Sequence, residues 1–146
     1  MDVNGNNQKQ LTQESTFAAG PVCSADGKSV LFQSFRSGKW AVWKVPIDGG
    51  DATKVSDAEC SLPDISPDGK SIACLTPNPK ASFRWQIGII SFEGGPMQKT
   101  FDLPSTFQFS ADVHWTPDGR SISYLRDEGN TTNVYAQLMT AARLSL

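Results

Sequence analysis

Short apolar runs alternate along this chain with compact polar turns. Val30-Leu31-Phe32, Ile72-Ala73-Cys74-Leu75 and Ile122-Ser123-Tyr124-Leu125 are rich in the residue types that favour extended strands. Each follows a version of one turn sequence: Ser24-Ala25-Asp26-Gly27-Lys28-Ser29, Ser66-Pro67-Asp68-Gly69-Lys70-Ser71 and Thr116-Pro117-Asp118-Gly119-Arg120-Ser121. Asp-Gly is a strong hairpin signal, and it predicts a type I′ turn with both central residues at φ > 0, which Gly adopts without steric cost. A second turn, Asp48-Gly49-Gly50 and Glu93-Gly94-Gly95, stands between two further strand-like runs. Two turn types in alternation predict an internal repeat.

The repeat can be followed in order. Residues 1–12 read as the tail of a preceding unit, with Gln8-Lys9-Gln10-Leu11-Thr12 resembling the strand that follows the Gly-Gly turns. The first full unit, 13–57, predicts strands at Ala18–Cys23, Val30–Ser34, Trp40–Val45 and Ala52–Val55. The second, 58–102, predicts them at Leu62–Ile65, Ile72–Leu75, Trp85–Phe92 and Met97–Phe101. The third, 103–138, is incomplete: Val113–Trp115, Ile122–Leu125 and Asn133–Ala136 are followed by a divergent tail, 139–146, where another Asp-Gly-Gly turn is due. Codons for Met139-Thr140-Ala141-Ala142-Arg143-Leu144, read two bases later with G or C in the free positions, spell Asp-Gly-Gly-Ala-Pro. A shifted reading frame that truncates a longer protein is therefore expected, and the coding DNA decides it.

A four-stranded antiparallel unit of roughly 40–50 residues is the signature of a β-propeller blade. The Asp-Gly steps are 42 residues from Asp26 to Asp68 and 50 from Asp68 to Asp118, which fits. The fold class expected is all-β, a propeller fragment of about three four-stranded antiparallel blades plus a partial N-terminal blade. An open arc of blades leaves apolar faces and strand edges unpaired, so either more chain exists or copies self-associate through the open blade edges.

Composition narrows the function. With 38% hydrophobic and 19% charged residues the chain is globular, and a net charge of −2 gives no reason to expect nucleic acid as a partner. No run approaches the ~18 apolar residues of a membrane span, so direct membrane insertion is not expected. The first residues lack the basic and apolar regions of a signal peptide. Three cysteines, Cys23, Cys60 and Cys74, cannot all pair within one chain, and none has metal-ligand spacing to another or to His114. They read as small apolar fillers. His114, alone beside Trp115, reads as structural, and Trp40, Trp43, Trp85 and Trp115 as blade-to-blade packing.

Ser-Pro-Asp-Gly-Lys-x-Ile, a later strand, Asp-Gly-Gly and a Leu-Thr ending resemble the TolB-type propeller repeats. The residues that carry this are Ser66–Ile72, Thr116–Ile122, Ser24–Val30, Asp48–Gly50, Glu93–Gly95 and Leu11-Thr12. The resemblance implies a non-catalytic scaffold that binds a protein or peptide, and suggests a periplasmic or other extracytoplasmic setting. The alternative is the propeller of a prolyl-oligopeptidase-like serine peptidase, whose hydrolase residues lie outside this chain. A truncated product with no function of its own is a third possibility.

Strand alternation puts both Gly-containing turns at one end of a blade and the remaining connections at the other. Length variation falls in the second set, at Phe35–Lys39, Pro77–Arg84 and Asp102–Asp112, which makes it the expected binding face. Its candidate residues are Arg36, Lys80, Phe83, Arg84, Phe107 and Phe109, of the types enriched at binding hot spots. Asp26, Asp68 and Asp118 could be pictured as acid–base carboxylates, but turn chemistry accounts for all three. There is no Gly-x-Ser-x-Gly elbow, no second histidine and no phosphate loop, so no enzyme activity and no cofactor is expected.

Overall fold

The computed structural model describes residues 4–13, 17–80, 85–106 and 112–139. These form eleven strands and, among the described residues, no helix. The first antiparallel sheet comprises β1 (Ala18–Cys23), β2 (Ser29–Ser34), β3 (Ala41–Pro46) and β4 (Thr53–Lys54), in that order. The second comprises β5 (Ser61–Ile65), β6 (Ser71–Pro77), β7 (Trp85–Ser91) and β8 (Lys99–Asp102). The third has β9 (His114–Trp115), β10 (Ser121–Glu128) and β11 (Thr131–Leu138). The expected strands are all present from β1 onward, with β10 and β11 longer than anticipated. Residues 8–12 are not a strand, because no described strand lies alongside to complete a ladder.

The sheets stand face to face, and this is why β2 and β6 read as continuous apolar runs instead of alternating ones: both faces of the first two blades are covered at these strands. Leu31 and Val42 of the first blade meet Ile72, Cys74 and Ile90 of the second. On the opposite face of the second blade, Ala73, Leu75 and Ile87 meet Ile122 and Tyr124 of the third. Burial of one such Val, Leu or Ile side chain contributes roughly 1.5–3 kcal/mol. The far face of the first blade carries Val30, Phe32 and Val45, against which Leu11 of the N-terminal segment packs.

Polar contacts set the spacing of the inner strands. The Leu62 amide donates to Gln33 Oε1 at 2.7 Å, and the Trp115 amide to Asp64 Oδ2 at 2.7 Å, each crossing from one blade to the next. Leu62 has φ +50°, at a bulge between Ser61 and Asp64, where the first blade places Gly20 at φ +60°. A non-glycine residue there is strained, and the Gln33 contact holds it.

The Asp-Gly turns are not type I′. Only the glycine has positive φ, and its amide donates to the residue three back: Gly27 to Ser24 O at 2.9 Å, Gly69 to Ser66 O and Gly119 to Thr116 O at 2.8 Å. With Ala or Pro at the second position and Asp, not at positive φ, at the third, this is the arrangement of a type I turn followed by a left-handed glycine. Pro67 and Pro117 lock φ negative at the second position, which excludes a type I′ turn there. The Gly-Gly turns do more than reverse the chain. The Gly95 amide donates to Val55 O of the preceding blade at 3.0 Å, and a Cβ on Gly94 would lie 2.7 Å from that same oxygen.

Cys60 and Cys74, both fully buried, form a disulfide with Cα atoms 5.7 Å apart, while Cys23 is free and exposed. The expectation of three apolar fillers is therefore corrected. A separation of 14 residues matches no metal or redox signature, so nothing in the spacing announced the pair.

Gly94→Ala should destabilise by more than Gly27→Ala. Both suffer the left-handed penalty of roughly 1–2 kcal/mol, but only the first drives a Cβ into a neighbouring carbonyl, since nothing lies within 4 Å at Gly27. Urea denaturation of the two variants beside the parent measures the difference; equal losses would contradict the inter-blade role of Gly94.

Candidate functional site

At the end of the blades opposite the glycine turns, three aromatic residues from separate segments converge. Phe17, just before β1, lies edge-on to Trp40 at a ring-centroid distance of 5.7 Å. Phe35, in the turn after β2, meets the same indole at 5.5 Å, again edge-to-face. Phe17 is 65% exposed and Phe35 47%, so the cluster presents two phenyl rings to solvent on a tryptophan base. β2 and β3 fix it: the turn Phe35–Gly38 is closed by the Gly38 amide donating to Phe35 O at 3.0 Å, and Trp40 O accepts the Cys60 amide at 3.0 Å. Trp40 thus belongs to this surface, whereas Trp85 and Trp115 pack between the second and third blades and Trp43 packs on the outward face of the first.

Arg36, expected on this face, turns away from solvent. Its guanidinium lies 4.3 Å from the Trp43 ring centroid and 5.2 Å from that of Phe32, a cation–π arrangement that pins the loop to the first blade. Lys80 is exposed, its amide donating to Asn78 Oδ1 at 2.9 Å. Phe83, Arg84, Phe107 and Phe109 lie outside the described residues. Phe35 lies in the Phe35–Lys39 loop of the expected face but was not among its candidate residues, and Phe17, 18 positions earlier, had as its available signal only its place before the first strand.

The three turn aspartates are engaged structurally. In each turn a hydroxyl donates to the carboxylate at 2.6 Å, from Ser24 to Asp26, Ser66 to Asp68 and Thr116 to Asp118. The amides of Lys28, Lys70 and Arg120 each donate to the same oxygen at 3.0 Å. The hydroxyl, and then the amide, hold all three carboxyls below the ordinary aspartate range. They are anchored anions, unsuited to a general acid. His114 is exposed, with Asp64 Oδ2 3.7 Å from Nδ1 and Asp112 Oδ2 3.9 Å from Nε2. Among the described residues no group of His, Cys, Asp and Glu is arranged to hold a metal ion, and no helix is long and apolar enough to cross a membrane.

Comparison with known proteins agrees with this geometry. The family profile of the TolB β-propeller domain matches residues 1–145. The chain belongs to the TolB β-propeller family. An uncharacterized protein of Agrobacterium fabrum is 25% identical over 134 residues, a match that takes in 86% of this chain and 45% of that protein. The chain therefore spans less than half the length of this curated relative. TolB from Acinetobacter baumannii superposes with a TM-score of 0.74 at 18% identity, over 95% of this chain and 34% of its own. The β-propeller domain of the trilobed protease of Pyrococcus furiosus superposes with a TM-score of 0.58 at 17% identity, over 86% and 40%. These likenesses establish the TolB-like fold.

The turn carboxylates give stability a pH dependence with a definite sign. Their folded values lie below the unfolded one, so their contribution is present above about pH 4 and is lost as pH falls through the folded values. The melting temperature should drop on acidification below about pH 4, and less steeply in an Asp26→Asn/Asp68→Asn/Asp118→Asn variant. Some acid sensitivity should remain, because Lys54 beside Asp57, and Tyr135 and Asn133 beside Glu128, lower those carboxyls too. An unchanged slope in the triple variant would count against the turns.

Proposed function

We propose that this chain is a non-catalytic propeller scaffold whose loop end binds a protein or peptide through the Phe17–Trp40–Phe35 cluster. One observation carries the proposal: two phenyl rings are held exposed on a tryptophan base at the end of the blades where connections vary in length. Aromatic side chains offer large contact area at small entropic cost and are favoured at binding hot spots. The edge-to-face geometry already fixes the rings, so little ordering remains to be done on binding. A peptide with apolar anchors suits such a surface.

The likeness to the trilobed protease propeller favours a second proposal, a propeller that accompanies a peptidase domain. Flanking coding DNA with a Gly-x-Ser-x-Gly frame would support it, and flanking DNA that encodes no such frame would support the scaffold.

We also propose an extracytoplasmic setting. The buried Cys60–Cys74 disulfide supports it, since such bonds persist where the surroundings are oxidising. Protein isolated without reductant and denatured should present one titratable thiol, that of Cys23. Three thiols would place the chain in a reducing compartment.

Selection of binders from a displayed random-peptide library tests the scaffold. The parent chain should enrich peptides that lose roughly tenfold or more in affinity for Phe17→Ala/Phe35→Ala, with circular dichroism unchanged. Peptides that bind the double variant equally well would refute the site.

A further inference from the structure

The two outermost blade faces carry the same positions that the inner blades bury against one another. Because the sheets repeat, positions can be matched through their ladders. Val42 pairs with Gln33, Ile87 with Leu75 and Val134 with Leu125, and all three of Val42, Ile87 and Val134 occupy the same place in their blades. Val42 is buried against the second blade and Ile87 against the third, both at 0% exposure. Val134 is 75% exposed, and Leu138, on the same face, 63%. The third blade thus presents outward the surface that the first two bury.

The first blade presents the matching surface. Val30, Phe32 and Val45, the counterparts of Ile72, Cys74 and Ile90, line an apolar groove of about 210 Å³ with Ala18, Ala19 and Leu11. Ala18 is exposed, whereas Cys60, its counterpart in the second blade, is fully buried beneath the first.

The N-terminal segment strengthens the match. Residues 9–13 border the Asp48-Gly49-Gly50 turn across a groove of about 500 Å³. Residues 54–58, the end of the first blade, border the Gly95-Pro96-Met97 side of the second across a groove of about 540 Å³. Leu11 packs on Val30, Phe32 and Val45 as Val55 packs on Ile72, Cys74 and Ile90. The segment therefore stands to the first blade as the end of one blade stands to the next. The third sheet, for its part, has only three strands among the described residues, with β11 outermost.

We propose that a second copy of this chain docks its first blade and residues 9–13 on the outward face of the third blade, with 9–13 running beside β11 as its fourth strand. The occupant is a second copy because this chain carries, in the right relative placement, both halves of the interface its own blades already use twice: Val134, Leu138 and Ala18 stand exposed, while Val30, Phe32 and Val45 lie beneath Leu11, which docks together with them. The contact is heterologous: copies add head to tail, and two of them close into a ring where the rotation between them returns each free face to the other. It rests on the fold alone and is independent of the aromatic cluster.

Light scattering on the purified 146-residue chain, over a dilution series, tests this. A concentration-dependent assembly is expected. Val134→Asp and Ala18→Glu change residues exposed in the single chain, so each should keep the parent circular dichroism while weakening assembly at least about tenfold, by placing a charge in an apolar contact. An equimolar mixture of the two variants should recover mixed dimers, because one of its two interfaces is unaltered. A monomer at every concentration would overturn the proposal. So would assembly sensitive to Val134→Asp but not to Ala18→Glu, which would mean that like faces meet.

Discussion

A sheet that carries apolar side chains on both faces has no stable exposed form, and the second blade, β5–β8, is such a sheet. Ile72, Cys74 and Ile90 point one way and Ala73, Leu75 and Ile87 the other, all of them fully buried. Here flanking sheets cover both sides, so this blade is folded largely by its neighbours. This dependence explains why the unit recurs as one short supersecondary piece: sheet packs on sheet, and the next sheet is another copy of the same design.

Packing alone would leave the distance and tilt between blades loosely defined. They are fixed mainly along the glycine-turn rim and the inner strands. On the rim, a Cβ at Gly69 would lie 3.3 Å from Ala25 Cβ and one at Gly119 would lie 3.6 Å from Pro67, so successive turns nest in file. The Gly94-Gly95 backbone fits against Val55 O. With one rim so constrained, the opposite rim is free to vary in length, and there the exposed aromatic cluster lies.

The blade order and strand placement were legible because they are local: a turn of a few residues followed by an apolar run determines a hairpin wherever it occurs. The turn type was misjudged at the same scale, because Pro67 and Pro117 and the Ser or Thr that opens the motif were weighed less than the Asp-Gly pair. What could not be read were contacts between segments distant in sequence. Cys60 meets Cys74 because a connection passes beside β6, and Phe17, Phe35 and Trp40 meet because three chain segments end at one rim. Arg36 has a typical hot-spot side chain, yet two aromatic rings of its own blade draw it inward. Residue type alone does not distinguish those fates.

The Gln33–Leu62 contact joins the conformation of one backbone to the side chain of another blade. Leu62 occupies a left-handed conformation that glycine fills in the blade before it, and the amide exposed by that distortion is received by Gln33. Replacing Gln33 would leave a strained peptide without its acceptor, whereas glycine at position 62 would relieve the strain at the source. The two positions are therefore coupled in one direction: the acceptor at 33 matters most while a non-glycine residue stands at 62, so the seam between these blades is set by a backbone torsion on one side and a side-chain amide on the other.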